Sequence, residues 1–367
     1  MKRTIDIIVI LMLAAVAAAN VMYVNGVRRC VLADNCESVS AQIDTVKHAR
    51  LVFAGDLMVH KPMLTAAERY AADSVKFDFR PMFRHVAERF RQADYAILNL
   101  ETTLSRNRYS GYPCFRTPVQ LADAMADMGI DAVVTANNHC CDGGASGIST
   151  TLEMLDSLGI AHTGTFADSV DFKRNNPYRF ECGDISFALF SYTYGTNGLP
   201  VPNGRIVNLI DTVAMAGDLS AEHAGSADVR IVFVHWGNEY ERRENRHQRD
   251  LAAFLHRHGA DVVIGSHPHV IQPFEADSTS VTIYSLGNFV SNQQWRYSDG
   301  GLIATIDIEK RSDSRPTYKM MLEPVWVMVP DYTVIPTEVG DTIPMADPIR
   351  RRYREFLDDT HRTLSLQ

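Results

Sequence analysis

The chain has 367 residues, enough for one large α/β domain or two ordinary ones, and its 46% hydrophobic and 22% charged residues are the balance of a globular protein. Against 36 Lys and Arg stand 44 Asp and Glu, a formal net charge of −8, which argues against nucleic acid as a partner and identifies no substrate. The six cysteines include no Cys-x-x-Cys pair, so a zinc ribbon is excluded.

Lys2 and Arg3 precede an apolar run over residues 7–19 that ends in small residues, with 21–24 extending it beyond Asn20. A positive start, an apolar core and Ala17-Ala18-Ala19 fit a secretory signal, and residues 7–27, at roughly 20 residues, also suffice to span a bilayer. Both readings export the body, and an uncleaved anchor is favoured. The expected location is the cell membrane with the body on the extracytoplasmic side, or secreted or periplasmic if the signal is cleaved. Residues 1–48 are then anchor and juxtamembrane linker. In an exported protein Cys30 and Cys36 are candidate disulfide partners closing a small loop.

From Ala49 short apolar runs alternate with helical patterns, the arrangement of an α/β domain. Strands are expected at 51–54, 95–100, 132–136, 186–191, 230–235, 262–265, 281–285 and 302–307. Helices are expected at 79–92, 121–128, 147–158, 208–223 and 246–258, where apolar residues recur at three- and four-residue spacing. Residues 193–206, rich in Gly, Pro and Asn, read as a long surface loop, either a lid or a passive excursion. After 310 come a polar turn, a strand at 318–329, proline-rich connections and a basic amphipathic helix at 347–357. This 311–367 extension is expected to pack on the main domain, 49–310.

The strand ends carry the chemistry. The first strand ends in Gly55-Asp56, the second in Asn99-Leu100-Glu101, the third in Asn138-His139 followed by Asp142. A later strand ends in His235-Trp236-Gly237, and the run Val262 to Gly265 delivers Ser266-His267-Pro268-His269. Open α/β sheets form their sites at the carboxyl ends of strands, so these side chains can converge. An inventory of carboxylates, an amide and neutral imidazoles suits zinc, manganese or iron better than calcium or a thiolate site. Turn chemistry favours short polar residues at single strand ends, but five in sequence exceed what it explains.

The motifs AGDLMV, NLETTLS, ANNHCCDGG, VHWG, GSHPHVIQ and YSLGNF, in that order over residues 50–308, resemble the CapA family of capsule and poly-gamma-glutamate synthesis proteins. That family is similar in fold to the calcineurin-like metallophosphoesterases. The resemblance implies an α/β fold of four layers, an α/β/β/α sandwich with a two-metal site at its strand ends. Carried over residue by residue, it makes Asp56, Glu101, Asn138, His235, His267 and His269 metal ligands, Glu101 bridging. His139 becomes the acid, oriented by Asp142. Where the phosphoesterase motif has Asp-x-His, this chain has Met58 in the histidine position. Glu101, Asn138, His235 and His267 complete one position, whereas Asp56, Glu101 and His269 leave the other weak or empty. His60 lies further along the loop and reads first as a surface histidine. Arg116 and Trp236 are candidate substrate contacts, with surface or packing roles as the alternative. The implied cofactor is a divalent ion, Mn, Fe or Zn. The implied partners are the membrane and either an anionic polymer or the membrane proteins of its synthesis. Two functions follow: a metal-dependent hydrolase of phosphoesterase type, or a non-catalytic accessory protein of polymer assembly.

Overall fold

A computed structural model describes residues 46–72, 75–312 and 314–365. The apolar run expected to anchor the chain and the Cys30–Cys36 pair lie outside them. Among the described residues no helix is long and apolar enough to cross a membrane.

Chain order gives β1 (Lys47–Leu57), β2 (Tyr95–Leu100), β3 (Thr103–Ser105), β4 (Arg116–Pro118), β5 (Ala132–Val134), β6 (Ala161–Thr163) and β7 (Thr165–Phe166). There follow β8 (Tyr178–Cys182), β9 (Ile185–Thr193), β10 (Ile206–Val207), β11 (Val229–His235) and β12 (Val262–Ser266). The last are β13 (Phe274–Ala276), β14 (Val281–Ile283), β15 (Asn288–Val290), β16 (Gly300–Lys310), β17 (Thr317–Met328) and β18 (Thr333–Pro336). One sheet runs β18-β17-β16-β1-β2-β5-β6, with β15 added beside the end of β1, and the other runs β13-β14-β12-β11-β9-β8. The strands that carry the expected ligands, β1, β2, β5, β11 and β12, occupy the parallel parts of the two sheets. Their carboxyl ends therefore open the same way within each sheet.

Alternation sorts the side chains into layers. Leu51 and Phe53 of β1 meet Phe187, Leu189, Ile231 and Ile264 between the two sheets. Val52 and Ala54 face the other way, onto α1 (Lys61–Tyr70), α2 (Arg80–Phe83), α3 (Ala87–Arg91) and α4 (Gln120–Met128). The outer face of the second sheet, Phe190, Val232, Val234 and Trp236, packs on helices Thr212–Asp218 and Arg246–Arg257 through Met215, Ala252 and Leu255. The result is the four-layer α/β/β/α sandwich. Each fully buried Phe or Ile in these layers contributes roughly 1.5–3 kcal/mol.

Two expected helices are broken. The pattern over 79–92 folds as α2 and α3 with a turn between, so that Phe83 and Phe90 both reach Phe289, one stacked at 5.7 Å and one edge-on at 5.5 Å. In 208–223 the helix starts only at Thr212, where the Asp211 carboxylate accepts from the Val213 and Ala214 amides; Ser220 caps a separate short turn. The extension past 310 completes the first sheet. β17 pairs with β16 from Thr317 to Trp326, and the helix Asp347–Leu364 inserts Tyr353, Phe356 and Leu357 between the sheets. That helix is seven residues longer than expected.

Candidate metal centre

β1 carries a glycine at 55, two residues before its end, because the approach to β15 comes too close for a side chain: a Cβ on Gly55 lies 2.1 Å from the Gly287 carbonyl oxygen. The next residue, Asp56, donates its amide to that same carbonyl (3.0 Å) and turns a fully buried carboxylate into the site. Asn99 Nδ2 donates to Asp56 Oδ1 at 2.8 Å, and Asp56 Oδ2 lies 3.0 Å from His269 Nδ1. Gly265 answers the same need on β12, where a Cβ meets the Tyr284 carbonyl at 2.0 Å and Trp236 Nε1 at 2.5 Å. Beyond it His267 (φ 97°) and His269 (φ 57°) both adopt the left-handed backbone that non-glycine residues avoid. Such strain, about 1–3 kcal/mol per residue, concentrates at functional sites. The His269 carbonyl is held in turn by Asn288 Nδ2 (3.3 Å), in the YSLGNF stretch.

At the centre is Glu101. It is fully buried, and neither carboxylate oxygen has a hydrogen-bond partner. Its Oε1 lies 3.6 Å from His235 Nε2 and 3.8 Å from His269 Nε2. His235 Nε2 also sits 3.0 Å from Asn138 Oδ1, with Nδ1 2.9 Å from Ser266 Oγ. His267 Nδ1 is likewise buried without a partner. Burial, then the neighbouring histidines, drives the His235 imidazole well below its ordinary pKa and His267 down to about 3, so both rings are neutral. Burial, then the Asp56 charge, drives the Glu101 carboxyl well above its usual range. Orphaned acceptor atoms beside neutral imidazoles fit a divalent cation of the zinc, manganese or iron type.

Ligand atoms of Glu101, His267 and His269 lie within 4.8 Å of one another, as do those of Asp56, Glu101 and His235. All six expected ligands converge, counting Asn138 through its contact with His235. Glu101 is common to both groups, and the His267 ring lies beside both His235 and His269, with centroids 4.7 and 5.8 Å away. His139 Nδ1 lies 2.7 Å from Asp142 Oδ2, which also accepts from the Phe115 amide at 2.6 Å.

A cavity of about 550 Å³ opens over this centre, lined by Met58, His60, His139 and His269 on one side and Glu239, Tyr240 and Trp295 on the other. His60 is thus no surface residue. Its ring meets Phe115 edge-on at 4.9 Å, and burial, then His269 and His139, lowers its pKa to about 4. Trp236 is turned away, 3% exposed, donating Nε1–H to the Tyr284 carbonyl within the outer core, so it is a packing residue and no substrate contact. Arg116 lines the adjoining cavity and donates to the Asp142 carbonyl at 3.0 Å. Sequence reasoning missed Tyr194, whose ring lies 4.6 Å from His267 and 6.2 Å, stacked, from His235. The signal was available, because Tyr194 follows the end of β9, the neighbour of β11 in the same parallel run.

A four-layer α/β/β/α protein that gathers carboxylate, amide and imidazole donors at its strand ends carries a candidate metal centre. The bacterial capsule synthesis protein family PGA_cap matches residues 50–293, and the chain belongs to that family. It is 28% identical over 277 residues to the PGA biosynthesis protein CapA of Bacillus subtilis (strain 168), covering 72% of this chain and 68% of that protein. To the capsule biosynthesis protein CapA of Bacillus anthracis it is 28% identical over 268 residues, 69% of this chain and 62% of that protein, less than two thirds of its length. Among solved structures it is similar to a phosphatase from Mycoplasma pneumoniae (TM-score 0.46, 12% identity, 78% of this chain and 97% of that one). It is also similar to the 5'-nucleotidase of Candida albicans SC5314 (TM-score 0.40, 10% identity, 86% of this chain and 58% of that one).

Proposed function

We propose that this capsule-synthesis protein is an exported, membrane-associated, metal-dependent hydrolase of phosphoesterase type. The observation that carries the reading is Glu101, a carboxylate with no exposure and no hydrogen-bond partner, flanked by two imidazoles. Such a group is costly to bury unless a cation accompanies it. Glu101, Asn138, His235 and His267 form the firmer position. The one nearer His269 and Asp56 is the weaker, because Met58 brings no strong ligand to the cavity wall. Mn, Fe and Zn all suit the donors. When bound, a divalent ion supplies positive charge against the transition state and acidifies water. His139, held through Nδ1 by Asp142, keeps Nε2 for the leaving oxygen and is placed to give it a proton. Tyr194 confines the His235 and His267 rings to one orientation. Membrane attachment rests on the apolar run near the N-terminus.

Met58 favours a second reading, in which the cleft holds an anionic polymer, or docks membrane proteins of its synthesis, without turnover. Metal analysis of the purified protein, followed by hydrolysis of generic phosphoesters, separates the two. The hydrolase reading expects bound metal and a turnover that falls at least ~100-fold in both His235→Ala and Glu101→Gln. A metal-free, inactive protein whose two variants still support polymer production leaves only the accessory role.

A further inference from the structure

The loop after β11 and the loop after β15 each wall two cavities. On one side Glu239, Tyr240 and Trp295 face the metal centre; on the other Arg242, Arg243, Arg296 and Tyr297 face a second cavity of about 260 Å³. Helix Asp347–Leu364 closes that second cavity with Asp359, Arg362 and Thr363. Four arginines and one aspartate line it, in a protein whose overall balance is acidic.

The charges do not cancel. Asp359 binds the Arg296 fork at 2.8 and 3.0 Å and also pairs with Arg362, while Glu355, outside the wall, takes the third Arg296 nitrogen at 3.1 Å. Among the described residues Arg242 has only neutral partners: the Asp359 carbonyl (3.1 Å), the Thr363 hydroxyl (2.6 Å) and the Tyr297 ring face, 4.0 Å from the guanidinium carbon. Among the described residues Arg243 pairs with no carboxylate, and its segment is pinned by Gln272 Nε2 donating to the Glu241 and Arg243 carbonyls at 2.8 and 3.2 Å. Tyr297, with φ 79°, holds a backbone that costs energy and brings its ring between Arg242 and Arg296. Guanidinium forks preset in this way and left without counter-charge are built to take oxyanions.

We propose that this cavity is an anion-binding site, separate from the metal centre, for a ligand carrying several carboxylate or phosphate groups. Of its walls, Arg296, Tyr297, Asp359, Arg362 and Thr363 lie beyond residue 293, where the family match ends. The site does not depend on hydrolysis or on bound metal.

Isothermal titration of the full chain, freed of metal on a chelating resin, with inorganic tripolyphosphate and with citrate tests the site against monovalent acetate as control. The expected result is saturable binding of at least one of these polyvalent anions that weakens steeply with added NaCl. Arg243→Gln, whose side chain is exposed and makes no ion pair, is expected to keep the wild-type melting temperature and lose affinity about tenfold, one charge-assisted contact. The tighter of the two anions assigns the ligand's acid group. No binding overturns the site, and so does binding that Arg243→Gln leaves unchanged, because the anion then sits elsewhere. The phosphoesterase reading stands or falls on metal content and turnover, which these outcomes leave untouched.

Discussion

Glu101 shows how one residue fixes the balance between stability and function. Its carboxylate has no partner in the metal-free protein, and burial raises its pKa well above the ordinary range. A carboxyl that holds its proton more tightly when folded than when unfolded makes the native state bind the extra proton. The stability of the metal-free protein therefore declines as pH rises above the usual carboxylate value. Glu101→Gln removes that titration. In EDTA at pH 8 the variant is expected to be more stable than wild type by about 1–3 kcal/mol, with the advantage shrinking toward pH 5, while its metal content falls to background. Urea denaturation at both pH values checks this; an advantage that is the same at pH 5 and pH 8 contradicts it. The ligands themselves were legible in the sequence because each follows an apolar run at a strand end. His60 was not, because its burial against Phe115 comes from a loop 55 residues away in the chain.

At the level of elements the site depends on strand ends meeting closely. β1 and β15 join where Asp56 pairs with Asn288, and the contact leaves no room beside Gly55. Gly55→Ala pushes a methyl group into the Gly287 carbonyl, so β1 must shift and carry Asp56 with it. The variant is expected to lose about 1–3 kcal/mol of stability. Its metal affinity should fall by far more than that of an Ala substitution at an outer-face position such as Val232. Metal titration of both variants decides; equal affinities remove the claim that this contact places the ligand. Central strands were readable from their apolar runs, whereas short edge strands such as β8 and β13 were not, since they are brief and gain their partners only in the folded sheet. The break between α2 and α3 was invisible for a similar reason: 3.6-residue periodicity runs straight through it, and only Phe289, some 200 residues on, shows why the helix bends.

Across the whole molecule, the C-terminal helix is part of the sandwich it closes. Tyr353, Phe356 and Leu357 fill the space between the sheets, and Arg352 binds the buried Asp299 at 2.9 Å. Removing residues 347–367 exposes that apolar surface and strands Asp299, so the truncated chain is expected to be several kcal/mol less stable. Recovery in the soluble fraction and the urea midpoint measure the loss; wild-type values for both would make the helix dispensable. The layered fold was legible from the order of strands and motifs, but the reach of this helix was not, because its last turns are polar and its role is read only from what lies beneath. The buried acid at the heart of the sandwich has one more consequence. Burial strengthens the Glu101 carboxyl's hold on a proton, so an ion bound there competes with that proton for the same oxygens. Ion uptake is then expected to release protons, and falling pH to weaken ion binding.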